Sequence, residues 1–156
     1  MTPEQLPVDY VLKRRDIVAA ARSWIDVPYK HQGRSRKGLD CVGLLVAVAE
    51  TLGHPVTAPT AYSDTPKGWQ LVKPCDEQLW KPARQNTLLP GDLAVFTGWH
   101  PAEPQHFAFI GDHATGATII HSFSKFKRVM EQPWNRVWQT RFVCLYNLPG
   151  TEPEFT

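Results

Sequence analysis

Pro28-Tyr29-Lys30-His31-Gln32-Gly33-Arg34-Ser35-Arg36-Lys37-Gly38-Leu39-Asp40-Cys41-Val42-Gly43-Leu44-Leu45 is the stretch that decides the reading of this chain. A Gly-rich, basic, polar loop runs to Asp40. An apolar pattern then starts at once: Leu44, Leu45, Val48 and Leu52 recur at helical spacing, and Gly53 stops the run. Cys41 therefore falls in the first turn of a buried helix, expected over 41–52. There the unpaired N–H groups and the positive end of the helix dipole favour a thiolate.

Upstream, residues 8–25 have the periodicity of an amphipathic helix that Pro28 ends. Downstream, residues 54–74 contain Pro55, Pro59, Pro66 and Pro74 and predict an irregular excursion, followed by a short helix within 75–84. The second half changes character. Leu89-Pro90-Gly91-Asp92 signals a turn. Strands are expected at Leu93–Phe96, His106–Ile110, Thr118–Phe123, Arg128–Glu131 and Arg141–Asn147, with a turn over 111–116. Helices first and strands second predict an α+β fold, with N-terminal helices packed on an antiparallel sheet of five to six strands. The length of 156 residues suits one domain over 1–156, its core at about 8–149 between short tails.

The net charge of +2 argues against a dedicated nucleic-acid binder. Arg34, Arg36 and Lys37 form a local basic cluster, most simply a solvated loop. No run approaches the length of a membrane span, and no secretory signal is visible before Lys13. Synthesis in the cytoplasm without export by that route is the corresponding expectation. No CxxC, HxxH or HExxH spacing occurs, so neither metal nor cofactor is expected.

A cysteine hydrolase needs an activated thiol, a base that later protonates the leaving amine, a group that orients the base, and donors for the oxyanion. Cys41 is the candidate thiol, and its own backbone N–H at the helix start is the candidate oxyanion donor. Of the other cysteines, Cys144 lies in an apolar run, and Cys75 is flanked by Asp76 and Glu77, whose charge disfavours a thiolate. His106 opens one strand and His121 closes the next. A hairpin joining the two sets the histidines opposite each other as cross-strand neighbours, His121 orienting His106. His31, His54, His100 and His113 fall in loops.

The run Ala20 to Tyr29, then His31-Gln32-Gly33, then Gly38-Leu39-Asp40-Cys41-Val42-Gly43-Leu44, resembles the signature of the NlpC-type cell-wall peptidases, which are papain-like enzymes with a Cys-His-polar triad. Leu89 to Leu93, Gln105 to Ile110 and Ile119 to Ser122 are similar to the family's later strand motifs, so the resemblance extends over 17–123. It implies Cys41 as nucleophile, His106 as base and His121 as orienting residue. It also implies Tyr29 near the oxyanion and Asp40 as an acid holding the free amino end of a peptidoglycan stem peptide. Many relatives carry Ser directly after the cysteine, where this chain has Val42. The HQG wording, the short length, the Tyr62-Ser63 region and the Trp134-rich tail resemble the branch found in phage tails and gene transfer agents. That implies a peptidoglycan hydrolase cutting a γ-D-glutamyl–diamino acid bond, carried in the tail of a phage-like particle beside tail-tip or hub proteins. The alternative is a structural tail-tip module on the same fold, toward which the surplus tryptophans Trp69, Trp80, Trp99, Trp134 and Trp138 incline.

Overall fold

The computed structural model describes residues 11–58, 70–98 and 103–154. The opening of the expected 8–25 helix, the Tyr62-Ser63 region and His100 lie outside them. A five-stranded antiparallel sheet forms the centre, in the order β6-β5-β4-β3-β7. Its strands are β3 (Leu93–Thr97), β4 (Pro104–His113), β5 (Gly116–Phe123), β6 (Arg128–Pro133) and β7 (Phe142–Tyr146). A two-stranded ribbon, β1 (Arg34–Ser35) with β2 (Gly38–Leu39), lies within the Gly-rich loop. The helices are α1 (Arg14–Arg22), α2 (Cys41–Thr51), α3 (Val72–Gln78) and α4 (Arg136–Arg141). The α+β expectation holds.

Each face of the sheet has its own core. Leu93, Val95, Phe107, Phe109, Ile120, Val129 and Tyr146 join Ile17, Val18 and Ala21 of α1 and Leu44, Leu45 and Val48 of α2 in the larger one. On the opposite face Ala94, Phe96, Ala108, Ile110, Ile119 and Leu145 close over Trp138 of α4. The alternation along β3, one residue to each core, is the period-two pattern of a strand buried on both sides.

Several boundaries depart from expectation. Helix α1 begins only at Arg14, since Leu12 bridges Thr151 instead, and it ends at Arg22, because the chain turns through 23–26, where Asp26 takes a φ of 76° and its N–H pairs with Val129 O at 2.9 Å. Helix α3 lies earlier than the expected 75–84. Its Pro74 sits in the first turn, where a missing N–H costs nothing, and Trp80 has already left to pair with Asn147. The broad turn over 111–116 is a tight turn at Ala114 and Thr115, since His113 still pairs with Gly116.

Candidate active site

Asp40 shapes the start of α2. It is the helix N-cap, and its Oδ1 accepts from Gly43 N at 2.8 Å. Its Oδ2 accepts from Gln32 N at 2.8 Å, and Arg34 Nη1 lies 3.1 Å from Oδ1. This carboxylate thus ties the Gly-rich loop to the helix. Close packing does the rest. A Cβ on Gly43 would stand 2.2 Å from Gly33 O, and one on Gly33 would stand 2.3 Å from Gly38 O. Only glycine admits these approaches. The basic cluster is exposed at Arg36 and Lys37, as a solvated loop should be, while Arg34 is half-buried and holds Asp40. Arg36 lies 3.7 Å over the Trp24 ring and donates to Ser23 O at 2.6 Å.

Strands β4 and β5 carry the two candidate histidines. Their ladder runs from His113↔Gly116 to Phe109↔Ile120 and stops there. Continuing the register past that point would set Ala108 opposite His121, so His106 and His121 are diagonal neighbours on one face rather than the directly opposed pair expected. Their rings still meet, His106 Nε2 and His121 Nδ1 being 2.7 Å apart. The strand β5 pairs His121 with Met130 and Ile119 with Gln132 of β6. Gln132 is therefore the next diagonal position on that face, and its Oε1 lies 2.7 Å from His121 Nε2. Three polar side chains cross three strands in one row.

Aromatic rings enclose the row. Phe123 stacks on His121 with centroids 5.4 Å apart, and Trp138 meets it edge-on at 5.1 Å. Trp138 comes from α4, capped by Asn135, whose side chain accepts from Val137 N and Trp138 N. Neither α4 nor the place of Gln132 was foreseen. The alternation of Met130 and Gln132 along a strand beside His121 is the one sequence signal for the latter.

Tyr29, His31, Asp40, Cys41 and His106 line one cleft of about 390 Å³, with Gln132, Trp138 and Lys125 among its other walls. His121 stands behind His106, fully buried. Burial pushes the Cys41 thiol up to about 12, with the Asp40 charge adding to the shift; backbone N–H groups of Phe107, Val42 and Cys41 pull the other way. The expectation of a thiolate lowered by the helix start is thus overturned. Desolvation of the sulfur outweighs the dipole. Burial, with His121 adding to it, holds His106 well below the ordinary imidazole value. Burial also lowers His121 to about 4 against the opposing hydrogen bond to Gln132 Oε1. The site rests as a neutral thiol and two neutral imidazoles. Cys75 and Cys144 are buried elsewhere, Cys75 in α3 and Cys144 in β7. Among the described residues no cluster of three or more His, Cys, Asp or Glu is placed to hold a metal, and no helix is long and apolar enough to cross a membrane.

The chain is similar to known proteins in sequence and in fold. The chain is 31% identical over 123 residues to the probable endopeptidase NlpC of Escherichia coli (strain K12), covering 78% of this chain and 69% of that protein. The crystal structure of an NlpC/P60 family protein from Bacillus cereus superposes with a TM-score of 0.62 at 18% identity, over 92% of this chain and 42% of that one. The peptidoglycan hydrolase RipB of Mycobacterium tuberculosis superposes with a TM-score of 0.58 at 17% identity, over 93% of this chain and 69% of that one. This chain thus spans less than half the length of the Bacillus protein. Residues 26–147 match the NlpC/P60 family as a whole, from the turn before Tyr29 to the end of the sheet, and the chain belongs to that family.

Proposed function

We propose that the protein is a cysteine peptidase that hydrolyses an amide of the peptidoglycan stem, with Cys41 as nucleophile, His106 as base and His121 as the orienting residue. The supporting observation is the convergence on one cleft of a cysteine at a helix start and an imidazole whose far nitrogen is already engaged. His106 Nε2 is taken by His121, so Nδ1 is the nitrogen left for the thiol. On attack the Sγ proton passes to Nδ1 and sulfur bonds to the carbonyl carbon. The oxyanion faces the N–H groups at the start of α2. The imidazolium then gives its proton to the leaving amine, and a thioester remains. Water, deprotonated by the same nitrogen, adds to the thioester; the thiol leaves with a proton and a carboxylic acid is released.

The names of the relatives, an endopeptidase and a peptidoglycan hydrolase, support the substrate class. Within it the γ-D-glutamyl–diamino acid bond is the amide proposed. Residence in the tail of a phage-like particle, beside tail-tip or hub proteins, is proposed from the sequence resemblance alone, and proteomics of purified particles tests it. Digestion of purified sacculi with mass analysis of the released stems tests the chemistry. The native chain should release stems with a new free carboxyl, and Cys41→Ala should release none. Full activity in Cys41→Ala removes the nucleophile assignment.

A further inference from the structure

Gln132 completes a chain of donors and acceptors that the catalytic reading does not require. A carboxamide oxygen can only accept a hydrogen bond, so the His121 nitrogen facing Gln132 Oε1, Nε2, must carry a proton. A neutral His121 then has its lone pair on Nδ1. That atom faces His106 Nε2 at 2.7 Å, so His106 must donate from Nε2 and keep its own lone pair on Nδ1. One amide oxygen thus dictates which nitrogen of each ring holds the proton. With the amide turned the other way every donor in the row would reverse. His106 would then present an N–H, not a lone pair, toward the thiol.

We propose that Gln132 is a positioning residue that fixes the tautomers of both histidines and so keeps the basic nitrogen of His106 on the side of Cys41. The placement supports a set direction. Gln132 occupies the diagonal register position beside His121, and the rings of Phe96, Phe123 and Trp138 around the two histidines offer no competing acceptor for His121 Nε2. The inference rests on Cys41 and His106 being nucleophile and base.

Two readouts test it, alkylation of Cys41 by iodoacetamide at pH 7 and stem release from sacculi, with thermal melts checking the fold of each variant. Gln132→Leu should slow both by about ten- to a hundredfold, because the base lone pair is no longer held in place. Gln132→Glu, which can only accept, should restore alkylation at least to the native rate, since a carboxylate also favours the imidazolium. Nitrogen-15 NMR of the native chain should find His121 as the Nε2–H tautomer. The role is overturned if Gln132→Glu alkylates as slowly as Gln132→Leu, or if His121 carries its proton on Nδ1. It also falls if Gln132→Leu loses stem release while alkylation stays native, which makes Gln132 a substrate contact. If Cys41→Ala is inactive and Gln132→Leu is native in both readouts, only the Gln132 role fails; if Cys41→Ala still cuts, the underlying assignment fails with it.

Discussion

Cys41 and the two histidines are held uncharged by the same burial that assembles them. For Cys41, with its thiol pushed up to about 12, the consequence is kinetic. Alkylation of the free protein should climb about tenfold per pH unit through neutrality and keep climbing where an ordinary thiol near ~8.5 levels off. A plateau already reached by pH 7, with peptide mapping placing the label on Cys41, contradicts it. For His121 the consequence is thermodynamic. Unfolded, the ring takes a proton near 6.5; folded, only near 4. Between those values the unfolded chain binds the additional proton, so stability is full above pH 6.5 and falls as pH drops toward 4. The loss from this ring is on the order of 3 kcal/mol. Urea melts at pH 7 and pH 4.5 should show it as a lower midpoint with unchanged slope. Equal midpoints would mean the ring is protonated in the fold.

Among the elements, α2 depends most on one small residue. Gly43→Ala sets a methyl against the carbonyl oxygen of Gly33, a backbone atom that cannot swing aside. The variant should lose about 1–3 kcal/mol to this overpacking. Activity should fall further than stability, because the displaced helix start carries Cys41. Denaturant melts and sacculus digestion compare the two losses. Helix α2 was legible because its apolar spacing begins directly after Asp40 and stops at Gly53; that Asp40 also caps it is seen only in the fold. The five strands of the sheet were legible from their alternation. Helix α4 was not, since Arg136–Arg141 is too short to display a helical period and Asn135 alone announces it. The nucleophile and base could be nominated from sequence, but not the way they meet. That depends on β4 and β5 parting beyond Phe109↔Ile120, a departure no residue pattern announces. Arg34 departs from the solvated reading of its cluster for a related reason: its partner Asp40 is near in sequence, yet a run of charges does not announce that contact.

Across the whole molecule, a buried charge network joins distant parts of the chain. Asp92, read from sequence as a turn residue, is fully buried. Its Oδ1 meets Arg14 Nη1 at 2.8 Å, Arg84 Nη2 at 2.9 Å and Asn147 Nδ2 at 2.8 Å, and its Oδ2 meets Arg84 Nη1 at 3.0 Å. Asp92→Asn keeps the shape and removes the charge that compensates two guanidiniums. Such a break in a buried network costs about 3–5 kcal/mol, measurable by chemical denaturation. The same Arg14 clasps the far end of the chain: its N–H donates to Glu152 Oε1 and its Nε to Glu152 O, each at 2.9 Å. Beside it Leu12 and Thr151 form a parallel bridge, with Leu12 N donating to Gly150 O and Glu152 N to Leu12 O. Parallel segments leave their contact in opposite directions, so tension applied beyond residues 12 and 151 loads these bonds together, in shear, instead of peeling them one at a time. The clasp is then a mechanical latch. Stretched from both sides in an optical trap, the protein should resist as one brittle unit, and Glu152→Ala should lower the rupture force.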